Sequence, residues 1–141
     1  EVIDLAPTVL SCSVVNNEAD IQHIIGDAYY QLAKYTEAIA SLEKFKSDDV
    51  VLSVLAQGAI GDAFSQKNQP KEALENYIKA VEASKNDFTT PRFLLKAGKT
   101  ALTLGNKEEA LKYLTDIKDN YDTTPEAASV DVLIGFFTVS W

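Results

Sequence analysis

A chain of 141 residues holds one domain's worth of core and leaves no room for a large two-domain enzyme. Its composition is that of an ordinary soluble globular protein, and the helix formers Ala, Leu, Lys and Glu are well represented. A formal charge of −8 argues against a protein that grips phosphate backbones through clustered Lys and Arg, and so against a nucleic-acid partner.

Residues 1–17, EVIDLAPTVLSCSVVNN, mix strand-favouring residues with Pro7, which stops a helix from running through. Two readings stand for this stretch: an apolar lead-in that packs on the helices after it, and a segment that joins another chain. Cys12 is the single cysteine, so no intramolecular disulfide forms and the compartment stays open. It reads as a small buried side chain rather than a nucleophile. The chain opens on Glu1 rather than Met, which reads as a fragment or processed product, with an anchor or signal upstream compatible with that. No apolar run within it reaches the about 18 residues of a transmembrane helix.

From Glu18 a helical period takes over, with Ile21, Ile24, Ile25, Ala28, Tyr29 and Leu32 as an apolar stripe through Lys34. A second helix is predicted over about Tyr35–Lys46, with Ala38, Ile39, Leu42 and Phe45 on one face. Asp49 is placed to cap a third, over about Val50–Gln66. Asn68 stands where a left-handed residue ends that helix, and Pro70 opens a fourth that runs to about Ser84. In the following loop Phe88 is expected to tuck under the helices, and Thr90-Pro91 repeats the cap-plus-proline signal for a fifth helix ending at Leu104. Gly105 terminates it, and Asn106 with Glu109 forms a capping-box-like start for a sixth that runs to about Asn120. Thr124-Pro125-Glu126 opens a seventh, carrying Ala127, Ala128, Val130, Val132, Leu133 and Ile134 before the apolar GFFTVSW.

These helices repeat. Gly26, Gly61 and Gly98 fall in one column, 35 and 37 residues apart, and Ala38, Ala73 and Ala110 fall in a second with the same spacings. Leu42, Tyr77 and Leu114 follow, then Phe45, Ala80 and Ile117. Small residues let two helices approach closely while rings and branched chains fill the space beside them. The pattern resembles the tetratricopeptide repeat, a helix–turn–helix unit of about 34 residues. The resemblance implies an all-α, right-handed α-solenoid of three repeats, about 19–53, 54–90 and 91–124, with a capping helix over about 125–139, in a single domain spanning 18–141. The family's large aromatic early in the first helix is replaced by Gln22, Gln57 and Leu94. Ala33 replaces the terminating glycine of the first repeat, and Ala101 the ring of the third.

A narrower resemblance rests on DDVVLSVLAQGAIGDAF, NDFTTPRFLLKAG and IKDNYDTTPEAASVD. These strings look like the repeat region of membrane-anchored periplasmic proteins of Bacteroidetes, themselves similar to the ancillary tetratricopeptide subunit of the Sec translocon. That resemblance implies a periplasmic, inner-membrane-associated location and a role near secretion or envelope assembly. The repeats by themselves fit a cytoplasmic protein equally well. Contact with a membrane is expected only through an anchor upstream of Glu1.

In stacked repeats the small and ring columns are core, so function falls to the concave face lined by the first helices. By repeat position that face presents Asp20, His23, Asp27, Tyr30 and Gln31 in the first repeat. It presents Asp62, Ser65 and Gln66 in the second, with Gly58 and Ala59 leaving a shallow spot, and Arg92, Lys96, Lys99 and Thr103 in the third. One end is acidic and the other basic, so a segment of opposite polarity fits in one direction only. The alternative for each residue is a solvated polar surface. Some family members clamp a chaperone's C-terminal carboxylate in these columns. Here His23, Asp27, Gly58 and Asp62 occupy them, and carboxylates repel a carboxylate, so that use is rejected for the first two repeats.

Asp20, His23 and Asp27 share one helical face, but one His with two carboxylates is a common polar pattern and a weak metal signal. No metal, cofactor or catalytic site is expected, because the only His and the only Cys are His23 and Cys12 and no phosphate-cradling loop is present. The reading is therefore a scaffold, not an enzyme, whose partner is a protein or peptide. The alternative is a self-assembling module, with a second copy of the chain as partner, joined through the apolar ends that include Phe136, Phe137 and Trp141; the other reading of those three, and the preferred one, is that they cover the open end of the last repeat.

Overall fold

In the computed structural model, the described residues are 23, 26–27, 30–31 and 34–140, with 136–140 described by backbone only. The expectations for residues 1–17, for Asp20 and for the side chains of Phe136, Phe137 and Trp141 lie outside them. Residues 23, 26–27 and 30–31 are helical. Six further helices follow among the described residues: α1 (Tyr35–Glu43), α2 (Val50–Gln66), α3 (Pro70–Ala83), α4 (Thr90–Thr103), α5 (Lys107–Asn120) and α6 (Pro125–Ser140). Each packs on the next in sequence, and α6 also touches α4, which makes an all-α helical-repeat solenoid.

The glycine column explains how each pair closes. A methyl added at Gly26 would lie 2.8 Å from Leu42, one at Gly61 2.7 Å from the Tyr77 ring, and one at Gly98 2.8 Å from Leu114. In each case the partner sits sixteen residues on and the nearest backbone oxygen belongs to the alanine column: Ala38, Ala73 or Ala110. Ala38, Ala73 and Ala110 are each fully buried. The two sequence columns are thus the two halves of one contact, made three times.

The turns inside the repeats are copies as well. After α2, Asn68 adopts φ 59°, and after α4, Gly105 adopts φ 81°. The backbone N–H of Gln69 donates to Phe64 and that of Asn106 to Ala101, at 2.9 and 2.8 Å, so each helix end finds partners for its last carbonyls. Asp49 caps α2 as its position predicts, its Oδ1 accepting from the Leu52 N–H at 3.1 Å.

Among the described residues, two apolar clusters fill the core. One holds Ile39, Leu42 and Phe45 against Ala56, Ile60 and Ala63. The other joins Val54 to Tyr77, Phe93, Leu94, Leu114 and Val130. Helix α2 contributes to both, which is why its sequence is apolar all round rather than striped. Helix α1 is shorter than predicted, ending at Glu43, yet Phe45 beyond it is still buried.

Three local expectations are corrected. Phe88 does not tuck under the helices; it is 63% exposed, because the loop is closed by Asn86 instead. The Asn86 Oδ1 accepts from the N–H groups of Phe88 and Thr89 at 2.9 and 2.7 Å, which turns the ring outward. Thr90 is not a cap but the first residue of α4, almost fully buried, its Oγ1 accepting from the Asn86 N–H at 2.9 Å. The capping box at Asn106 is not made: the Asn106 side chain caps nothing, and Glu109 Oε1 instead accepts from the Tyr113 hydroxyl at 2.8 Å. Residues four apart on a helix face each other, so Tyr113 competes for the carboxylate that the cap required. In α6, Ala127 and Val130 are buried, while Val132 is 72% exposed.

Candidate binding surface

The first helices of the repeats carry the predicted surface. Asp27, Gln31, Ser65, Gln66, Arg92, Lys99 and Thr103 are exposed, and His23, Tyr30, Asp62 and Lys96 are half-buried. In the first repeat, His23 Nδ1 lies 3.1 Å from Asp27 Oδ2, one turn on, and its ring meets Phe45 edge-on at 5.0 Å. The aromatic contact sets the imidazole against Phe45, just beyond the end of α1. Among the described residues no three potential metal ligands come together.

The structure joins two residues that the sequence places in successive repeats. Lys96 Nζ donates to both oxygens of Asp62, at 2.7 and 2.9 Å, across the junction between the second and third repeats. Asp62 of α2 and Lys96 of α4 therefore neutralise each other, and among the described residues the charge contrast rests on Asp27 at one end and Arg92 and Lys99 at the other. The available signal is that Lys96 stands one helical turn before Lys99, the residue in Asp62's own column.

The column of Tyr77 reads as core, and the residue is buried; what the column does not show is the polar role of its hydroxyl. Its ring is buried in α3, but its hydroxyl donates to Asp62 Oδ1 at 2.6 Å. The signal is compositional: the same column holds Leu42 and Leu114, neither of which has a hydroxyl to place. The Lys96 ammonium also stands 5.8 Å from the Tyr77 ring centroid and 5.7 Å from that of Phe93. Burial, then hydrogen bonding to Asp62 and its negative charge, drive the Tyr77 phenol well above its ordinary value. Burial first, then the charge of Asp62, also raise Tyr30. Both phenols are therefore neutral at physiological pH, and that of Tyr77 serves as a donor.

The expected shallow spot at Gly58 is filled. Gly58 is buried, and a methyl group there would overlap the Phe93 ring, which enters from α4 and stacks on Tyr77 at 6.3 Å and 17°. Gly58 thus serves close packing between adjacent repeats rather than ligand access.

Models of the tetratricopeptide repeat match residues 19–47, 55–87 and 93–124, together more than half of the chain. The chain belongs to the tetratricopeptide repeat family. Among solved structures, this tetratricopeptide repeat chain is similar to MamA, with a TM-score of 0.65 and 20% identity over 82% of this chain. The match spans 64% of the MamA chain, a little under two thirds. It is also similar to PcrH, solved in complex with the chaperone binding region of PopB, with a TM-score of 0.66 and 18% identity over 85% of this chain and 95% of that one. At these identities the likeness concerns the fold. No curated protein matches the chain.

Proposed function

We propose that this tetratricopeptide repeat protein is a non-enzymatic scaffold that holds a polypeptide segment along the concave face of its first helices. The observation that carries the reading is the polarity of that face. Asp27 stands at one end and the exposed Arg92 and Lys99 at the other, with Asp62 and Lys96 paired between them. A bound segment with its basic end toward Asp27 satisfies both ends, and the reversed segment meets like charges. PcrH, a structural neighbour, is a complex with a region of another protein, which supports a polypeptide occupant. The test is a pull-down from cell lysate with the native chain and with the triple variant Asp27→Lys, Tyr30→Ala, Lys99→Glu, after matching their helicity. A partner held by the native chain and lost by the variant supports the concave site; equal retention by both overturns it.

We further propose a periplasmic location beside the inner membrane, near secretion or envelope assembly. Its support is the resemblance of the three strings between Asp48 and Asp131 to anchored periplasmic proteins. Digestion of the tagged protein by external protease in spheroplasts, but not in intact cells, is the expected result; protection in spheroplasts refutes it. A second reading, self-assembly through the C-terminal helix, draws on the exposure of Val132. A mass that rises with concentration and falls back in Val132→Lys would favour it.

A further inference from the structure

The second helices of repeats two and three, α3 and α5, are not among the helix pairs that pack closely, and a furrow of about 690 Å³ opens between them. Its apolar lining is Ile78, Val81, Leu94, Leu111 and Tyr113. Leu94 reaches it from α4 and is 2% exposed, whereas Leu111 is 43% exposed although it is a large apolar side chain on a polar helix. A shallower hollow lined by Leu74, Ile78 and Tyr113 shares two of those residues and continues the furrow along α3. From Leu74 to Glu82 the furrow follows α3 for about 12 Å at 1.5 Å per residue, the length of two helical turns.

The same column differs in the preceding repeat. There Gln57 stands in place of Leu94 and donates from its side-chain amide to Asn76, whose own amide donates to the Glu72 carbonyl. The corresponding place in the second repeat is polar and closed by hydrogen bonds. Only in the third, among the described repeats, do Leu94 and Tyr113 leave it apolar.

The rim of the furrow has one dominant sign. Glu75, Glu82, Glu108, Glu109, Asp116 and Asp119 line it, against Lys79, Lys85 and Lys112. Glu82, Glu108 and Asp119 are in no ion pair among the described residues. Glu82 also adds its charge to the field that raises the Tyr113 phenol. An apolar floor with a rim of unneutralised carboxylates selects a ligand with an apolar face flanked by cations.

We propose that the α3–α5 furrow is a second docking surface, separate from the concave face, for a basic amphipathic helical segment of a partner protein. Its apolar face covers Leu111 and Tyr113 and its lysines or arginines reach Glu82, Glu108, Asp116 and Asp119.

The test is fluorescence anisotropy with two labelled fourteen-residue peptides of the same Leu spacing, one with Lys and one with Glu at the polar positions. The native chain is expected to bind the Lys peptide, and the Glu peptide at least tenfold more weakly. Leu111→Lys and the double variant Asp116→Lys, Asp119→Lys alter exposed or half-exposed positions and are each expected to weaken the Lys peptide at least tenfold. Lys99→Glu on the concave face is expected to leave it within twofold. Equal binding by all variants, loss in Lys99→Glu alone, a preference for the Glu peptide, or no binding by the native chain would each overturn the proposal. Because the concave-face variant is included, failure here is distinct from failure of the concave site.

Discussion

Replacing Gly58 by alanine sets two known effects against each other. In an exposed helix, Gly→Ala stabilises by about 1 kcal/mol through backbone entropy alone. At Gly58 the added methyl would overlap two ring carbons of Phe93, which is 2% exposed and held between Tyr77 and the rest of the core. A ring so enclosed cannot swing aside, and overpacking of this kind costs about 1–3 kcal/mol. With two ring atoms in conflict, the upper part of that range applies, so the net expectation is a loss of about 2 kcal/mol. Urea unfolding followed by helical circular dichroism measures it directly. The companion variant Phe93→Leu removes the ring, loses stability on its own by cavity formation, and should make Gly58→Ala neutral or favourable when the two are combined. If Gly58→Ala were about 1 kcal/mol more stable than the native chain, helix propensity alone would be acting. The interlock between the second and third repeats would then not exist as described.

Three further outcomes follow from contacts already given. A double-mutant cycle between Asp62→Asn and Lys96→Ala should return a coupling of about 1 kcal/mol, modest because both side chains retain roughly a quarter to a third of their exposure; zero coupling would mean that the bridge contributes nothing to the repeat junction. The phenols of Tyr77 and Tyr113 lie above 10.0 in the fold, Tyr113 pushed up to about 12 by burial and by its bond to Glu109. The fold binds these protons more tightly than the unfolded chain does, so their contribution is complete below pH 10 and is lost as pH rises through the folded values. Thermal midpoints should therefore fall above pH 10, and fall less in Tyr77→Phe; an unchanged alkaline slope in that variant would refute the assignment. Asp49→Ala should cost about 1 kcal/mol by removing the α2 cap, while Asp48→Ala, whose side chain is exposed, should be near neutral by the same denaturation assay.

What could be read from the chain beforehand depended on how local the governing physics is. The bounds of α2 and α5 and the left-handed residues Asn68 and Gly105 follow from short-range rules of periodicity and capping, and they stand as expected. The glycine and alanine columns were legible because a contact made three times leaves the same mark three times. Expectations that pitted one short-range partner against another fared worse. Glu109 had two partners within reach and took Tyr113; Thr90 had a capping role open to it and joined the Asn86 network inside the helix start. Asp62 and Lys96 are each legible in the sequence as polar positions of the first helices but not as a pair, since they meet only when adjacent repeats stack. Gly58 was misread for the same reason, its neighbour Phe93 lying 35 positions away in the next repeat.

Because α2 walls both apolar clusters, the described residues form two units that share one partition. Helix α1 is nine residues long, has no side-chain cap at its start and shares a cluster with α2, whereas α3, α4, α5 and α6 join through the other one. Amide hydrogens should therefore exchange in tiers: those of α1 through a low-energy local opening, those of α4 and α5 only near global unfolding. The amides of α2 should mark the border between the tiers, since freeing one of its sides leaves the other still clasped.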